Sequence, residues 1–407
     1  MRKPTVALPL TEFVIMLAMM ISIVALATDM MLPGLATIGH DLGVDGANDV
    51  QLIVSSLFLG FAVGQALAGP LSDSFGRKPI IYLGYAVFIA GCILSLTATS
   101  WNAMIVGRVL QGLGAASPRI VSLALVRDGY GGRSMARIMS FVMAVFVLVP
   151  TIAPAIGQVV IYLSGWRATF LVLIVMAIIA AAWFALRQPE TLAPHERRPF
   201  SVKAIWQGLK EISRNRTAIG NTAALGMIFG AFLAYLSTAQ QLYEVVYGAG
   251  ALFPLYFGMT ALSIGGAAVV NSMLVMRLGM RFLTRCAMIG LIALAALFAV
   301  IALAWGGVPP LPLFIGWLIS SFFCVGILFG NLNAIAMEPL GHMAGLGAAL
   351  IGSVSNFIAL PISYFIGHLF DGTVMPLVGG FGTVGILALL IFLWSERGLA
   401  RAAQTGA

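Results

Sequence analysis

The sequence predicts an all-α integral membrane protein with twelve transmembrane helices, and three observations carry that prediction. Hydrophobic residues fill 60% of the 407 positions and charged residues 9%, with a mean hydropathy of +1.03, a balance that no water-soluble surface of this size supports. Apolar stretches long enough to cross about 30 Å of hydrocarbon at about 1.5 Å per residue recur along the whole chain. The cations are also sorted: with the N-terminus inside, all of the 22 Lys and Arg except Arg108, Arg119 and Arg167 fall on the cytoplasmic side, as the retention of positive charge in cytoplasmic loops requires. An even number of crossings follows, with both termini cytoplasmic. The net charge of +8 is thereby a topology signal and gives a nucleic-acid partner little support. Backbone polar groups in lipid must be satisfied internally, so the spans are helices.

The spans are expected near residues 12–35, 50–70, 79–99, 101–126, 133–161, 166–186, 217–242, 252–275, 283–304, 310–337, 343–369 and 374–395. The opening MRKPTVALPL and the run after it could pass for a signal peptide. The run is too long, however, and no small-residue cleavage site ends it, so it is taken as span one. Span one contains DMMLP from Asp29 to Pro33, and Asp29 is the only carboxylate well inside any expected span. An ionised carboxylate buried there is expensive, which makes Asp29 a candidate protonation switch or one half of a structural bridge to Arg108. Span two carries Gly60, Gly64 and Ala68 at four-residue spacing, a pattern that lets helix backbones approach closely. The loop after it is GPLSDSFGRKP, Gly69 to Pro79. A tight turn asks for glycine at Gly69 and Gly76, and Asp73 among the cations Arg77 and Lys78 suits a charge latch at helix ends.

Span four reads RVLQGLGAA from Arg108 to Ala116, in which Gln111 is a candidate to line a cavity. An arginine inside a span costs about 2.5–3.5 kcal/mol and is a functional-site candidate by default. Arg119 follows Arg108 by eleven residues, which places both on one helical face about 16 Å apart. If both face a central cavity, one aspartate leaves it positive and favours anionic or zwitterionic substrates; otherwise Arg119, near Pro118 and the inner helix end, snorkels or bonds loop carbonyls. Arg127 and Asp128 close the same helix. Span five contains PTIAPAIG, with Pro150, Pro154 and Gly157; proline removes a helix hydrogen bond and is expected to form a kink, which suits a gating helix.

A polar stretch from Arg187 to Arg216 then divides the chain into an N-terminal bundle (1–186), a linker (187–216) and a C-terminal bundle (217–407). Within the linker, Val202, Ile205, Trp206, Leu209 and Ile212 recur at helical spacing opposite Lys203, Gln207, Lys210 and Arg214. An amphipathic helix on the inner leaflet has this pattern, and a plain solvated linker is the alternative. The halves share a weak repeat. Setting Gly279 against Gly76 puts Leu274 opposite Leu71 and Arg281 opposite Lys78, while Met276 faces Asp73, so the second copy lacks that acid. Gly226 with Gly230 and Gly326 with Gly330 are further packing pairs. Tyr235, Gln240 and Gln241 on span seven, Asn331 and Asn333 on span ten and Asn356 on span eleven are candidates to line a cavity or to bond between helices. Cys92, Cys286 and Cys324 fall in spans at unrelated spacings, and the histidines form no cluster, so neither a metal nor a cofactor is expected.

GPLSDSFGRKP resembles the signature loop of the major facilitator superfamily, with Ser74 where a basic residue is common. RVLQGLGAA is similar to the intramembrane motif of that family's drug and proton antiporter branch, PTIAPAIG to a degraded antiporter motif, and DMMLP to span one of bacterial multidrug antiporters. The chain looks like bicyclomycin-resistance and chloramphenicol-type exporters. The resemblance implies two pseudo-symmetric six-helix bundles around a site that opens to alternate sides, in a bacterial inner membrane. It implies proton coupling and drug recognition at Asp29, a proton-transfer role for Arg108, and a cytoplasmic gate in which Asp128 pairs with Arg77. Some relatives carry a second membrane acid where this chain has Ile21. The expected function is proton-coupled export of drugs or other small organic compounds by a monomer, with protons, substrate and the bilayer as partners. A proton-coupled nutrient or metabolite carrier is the alternative. A membrane enzyme is more remote, because no nucleophiles, acids or histidines cluster at one depth.

Overall fold

The computed structural model describes residues 8–405 apart from Asp45, Ala47, Gly131 and Arg198, with backbone alone at 132, 133, 136, 140, 143–147 and 398–405. Arg2, Lys3 and Arg198, cations used above for orientation, lie outside the described residues, as do the side chains of Arg133 and Arg401. The chain divides into two units, Met1–Ile205 and Trp206–Ala407.

The first unit contains α1 (Leu10–Asp29), α2 (Leu35–Asp41), α3 (Leu52–Phe75), α4 (Arg77–Leu96), α5 (Trp101–Gly129), α6 (Gly132–Ser164) and α7 (Arg167–Arg187), followed by the start of α8 (Val202–Arg214). The second contains the rest of α8, then α9 (Arg216–Gln240), α10 (Phe253–Leu278), α11 (Met280–Ala304), α12 (Leu311–Met337), α13 (Ala344–His368) and α14 (Met375–Thr405). Among the described residues, all of these except α2 and α8 are 20 residues or longer, which gives twelve long helices. Ten segments are long and apolar enough to cross a membrane, and one of them, Leu311–His368, spans both α12 and α13 across the turn at Glu338–Met343. The twelfth long helix is α6, whose apolar segment Leu148–Ser164 is shorter than the others.

Two features differ from the sequence reading. The α-helical bonding of span one is interrupted: α1 ends at Asp29, and a 3-10 turn at Leu32–Gly34 with Pro33 near its start leads into α2, while Met30, Met31, Gly34 and Leu35 keep right-handed helical angles. Proline lacks the N–H that would continue the ladder. Span two runs on through Pro70 to Phe75, so Gly69 lies inside α3 and accepts a bond from Ser72 Oγ at 2.9 Å. The turn rests on Gly76 alone, at φ +102°, ψ 161°, a region in effect reserved for glycine.

Close approach of backbones builds both units. A Cβ on Gly60 would meet Leu113 N of α5 at 2.9 Å, and one on Gly91 of α4 would meet Gln111 N at 2.6 Å, so α5 is gripped between α3 and α4. In the second unit α9 packs on α12, α13 and α14, with Gly226 facing the Ser355 carbonyl of α13. Its core is aromatic: Tyr235 meets Phe322 edge-on at 4.8 Å, and Trp317 stacks on Phe298 at 5.1 Å.

Candidate functional site

The break after α1 is the first focus. Asp29 is 4% exposed, and among the described residues no cation or hydrogen-bond donor pairs with its carboxylate. Arg108, fully buried on α5, does not reach Asp29. It donates instead from Nη1 to the Ala27 carbonyl at 3.0 Å, and from Nε to the Ile53 carbonyl of α3 at 3.1 Å. Loss of the helical ladder at α1's end leaves carbonyls to be satisfied, and the arginine fork supplies a donor to one of them. Nη1 also bonds Gln111 Oε1 at 2.5 Å, while Gln111 Nε2 donates to Ser95 Oγ at 2.9 Å and to the Gly91 carbonyl at 3.3 Å. The chain of bonds therefore ties α4, α5, α3 and the end of α1 together. Arg108 Nη2 has no hydrogen-bond partner among the described residues.

Helix α6 closes the break from its other side. A Cβ on Gly157 would lie 2.6 Å from the Met30 carbonyl carbon, so this glycine lets α6 rest on the main chain next to Asp29. α6 stays helical through Pro150 and Pro154. Arg119 is half-buried, with its guanidinium 5.3 Å from the centre of the Phe61 ring of α3. Arg108 and Arg119 thus both face α3, as their spacing on α5 dictates.

The second focus is the turn at Gly76. Arg77 is 3% exposed and bonds three neighbours: Asp73 Oδ1 at 2.5 Å, Ser72 Oγ at 2.8 Å and Asp128 Oδ2 at 2.8 Å. The sequence did not single out Glu190. Its carboxylate accepts the first two N–H groups of α4, from Arg77 and Lys78 at 3.0 Å each, and those of Thr191 at 3.0 Å and Leu192 at 3.1 Å. An anion at a helix N-terminus satisfies orphan donors and meets the positive end of the helix dipole. Thr191 Oγ1 donates to Asp128 at 3.2 Å, and Lys78 Nζ donates to the Ala185 and Gln188 carbonyls at 3.2 and 2.7 Å, capping α7. The start of the linker is knitted into the latch from both ends.

The second unit holds a counterpart. Arg281 bonds Glu338 Oε2 at 2.5 Å and Glu396 Oε1 at 3.0 Å, next to Gly279 at φ +80°. The acid missing from the loop is supplied by the end of α12 and by α14. The signal for Glu190, Glu338 and Glu396 was their place at the inner ends of spans, which a count of Lys and Arg passes over.

The candidate cavity residues divide. Tyr235 OH lies 3.3 Å from Tyr243 OH and 3.2 Å from Thr260 Oγ1. Gln240 Nε2 donates to Glu244 at 2.7 Å, and Gln241 opens a π-helical turn, Gln241–Val246. Asn331 and Asn271 exchange two bonds of 2.9 and 3.0 Å between α12 and α10; Asn271 had no sequence signal. Asn356 donates to the Gly352 carbonyl of its own helix at 2.8 Å, and Asn333 is exposed.

A buried carboxylate with no counter-ion among the described residues can exchange one proton. Comparison with known proteins agrees with a transporter. A sequence profile described as Major Facilitator Superfamily matches residues 17–363. The chain is 29% identical to the bicyclomycin resistance protein homolog of Haemophilus influenzae, over 93% of this chain and 95% of that protein. It is 25% identical to multidrug resistance protein D of Escherichia coli, over 94% and 93%. Among solved structures, the xylose transporter of Escherichia coli superposes with a TM-score of 0.73 at 12% identity, over 95% of this chain and 97% of that one. A human organic anion transporter superposes with a TM-score of 0.67 at 17% identity, over 95% and 100%. At these identities the solved structures speak for the fold alone.

Proposed function

This chain belongs to the Major Facilitator Superfamily, and on that premise we propose that it exports drugs or related small organic compounds in exchange for protons. It is a transporter rather than an enzyme. The proposal places it in a bacterial inner membrane as a monomer, with both termini in the cytoplasm. The observation that carries the mechanism is Asp29, buried and unpaired among the described residues at the broken end of α1. In the outward-facing state Asp29 takes a proton and substrate leaves; facing inward it loses the proton and substrate binds again. Arg108 holds the Ala27 carbonyl and so positions the carboxylate without neutralising it. The Arg77 latch holds the cytoplasmic side closed in the outward-facing state. One proton moving down about 100 mV supplies about 2.3 kcal/mol, and each pH unit adds about 1.36 kcal/mol. Together they sustain substrate gradients of about a few hundredfold.

The test is substrate-induced proton release from detergent-solubilised protein, scanned over antibiotics and small organic anions for wild type and Asp29→Asn. Release in wild type that the variant loses is the expected result and identifies the ligand class. Uphill, proton-dependent transport by Asp29→Asn would overturn the assignment, and inward substrate flux with protons would favour a nutrient carrier.

A further inference from the structure

One face of α8 is exposed. Its C-terminal half is docked: a Cβ on Gly208 would meet Leu350 and Leu346 of α13 at 2.8 and 3.2 Å, Ile212 is buried, and Glu211 lies 2.9 Å from His342. At about 100° per residue these side chains share one side of the helix. On another side, about 40° apart, stand Val202 and Trp206, each 68% exposed. Lys203, Lys210 and Arg214, all exposed, form the next sector, within about 40° of one another.

The depth of α8 is set by its neighbour. Only Asn215, which caps α9 by accepting the Ala218 N–H at 3.0 Å, separates the two helices. α9 is a membrane span, and at its first residue the Arg216 guanidinium stacks on Trp394 of α14 at 4.3 Å. An arginine and an indole together mark the boundary between hydrocarbon and headgroups. α8 therefore lies at that boundary, with an exposed indole flanked by three cations.

We propose that this face of α8 rests on the anionic headgroup layer of the membrane that holds the protein, with Trp206 and Val202 in the interface and Lys203, Lys210 and Arg214 on lipid phosphates. Anionic lipid is the partner selected by charge, because each cation near such a surface strengthens attachment about fivefold, while α13 already occupies the helix's other side. The inner leaflet is specified by the orientation proposed above.

The full chain with Cys92, Cys286 and Cys324 changed to Ser and Trp206→Cys labelled with bimane is reconstituted into phosphatidylcholine vesicles, with or without phosphatidylglycerol. Anionic lipid should shift bimane emission to the blue and protect it from iodide several-fold. The triple change Lys203→Gln, Lys210→Gln, Arg214→Gln should abolish the protection, and Lys203→Arg with Lys210→Arg should keep it. Equal quenching in the two lipids, or protection that survives the triple change, would overturn the proposal. The probe reads α8 whether or not the chain exports drugs. Labelling of the same cysteine in intact cells by an impermeant maleimide would overturn the orientation alone.

Discussion

Replacing Gly157 with alanine asks whether α6 seats the break beside Asp29. The new Cβ would stand 2.6 Å from the Met30 carbonyl carbon and 2.8 Å from its Cα, with the carbonyl oxygen nearer still. Carbon atoms in contact sit at about 3.5–4.0 Å, so the two backbones must part by about 1 Å. No side chain absorbs the strain, because the three nearest atoms are all main chain of Met30. Overpacking of this kind costs about 1–3 kcal/mol. A displacement of about 1 Å at a reacting group can cost about 100-fold in rate, and Asp29 is bonded directly to Met30. Gly157→Ala should therefore fold with a modestly lowered Tm while proton-driven export falls about 10–100-fold. The assay is substrate accumulation in proteoliposomes under an imposed pH gradient, with proton release measured on the same preparation. Gly34→Ala is the control, since its Cβ would meet chiefly Ile161 Cδ1, the end of a flexible side chain, at 3.0 Å; less than about a threefold loss is expected. Wild-type accumulation and proton release by Gly157→Ala would refute the seat.

Glu190→Ala removes the acceptor for four backbone N–H groups and should cost about 1 kcal/mol, as loss of a helix cap does. Glu190→Gln should recover part of that in a thermal-denaturation series, and equal Tm values for all three proteins would show that the carboxylate is idle. Arg77 is 3% exposed and Arg281 36%, so their removal should differ. Arg77→Gln leaves Asp128 without its buried partner, at about 3 kcal/mol, whereas Arg281→Gln loses surface pairs worth less than about 1 kcal/mol; a larger Tm loss for Arg281→Gln would reverse this ranking. Asn271→Ala or Asn331→Ala should each cost about 1–3 kcal/mol by orphaning the other amide. The double substitution should cost less than the two together, and strict additivity would mean that the amide pair contributes nothing.

Hydropathy made the long helices legible to within about six residues at every end but that of α14, which runs on to Thr405, because the cost of burying a charge in lipid is large and applies along each whole span. It says little about whether a span is continuous. Met30 to Leu32 are as apolar as the helix before them, so the end of α1 at Asp29 shows only in Pro33 and in the backbone. Spacing puts Arg108 and Arg119 on one face, but what each arginine meets depends on α3, which periodicity along α5 does not report. The same limit hid the partner of Gly157, which is the main chain of another helix. Main chain carries no residue signature.

The repeat shows most clearly what a sequence retains. Gly76 and Gly279 have nearly the same backbone angles, φ +102°, ψ 161° and φ +80°, ψ 151°, and each precedes a helix that begins on the next residue. That conformation excludes a Cβ, so glycine is required at one fixed position and alignment at a constant offset finds it. A carboxylate beside the neighbouring arginine is a weaker demand, because any helix end at the same depth can supply one. In the first unit it comes from Asp73 on α3 and Asp128 on α5, in the second from Glu338 after α12 and Glu396 on α14. Even the arginine shifts by one place, since Arg281 aligns with Lys78 and yet bonds two acids as Arg77 does. Matching residues column by column therefore finds the turn and loses the latch, although both halves contain one.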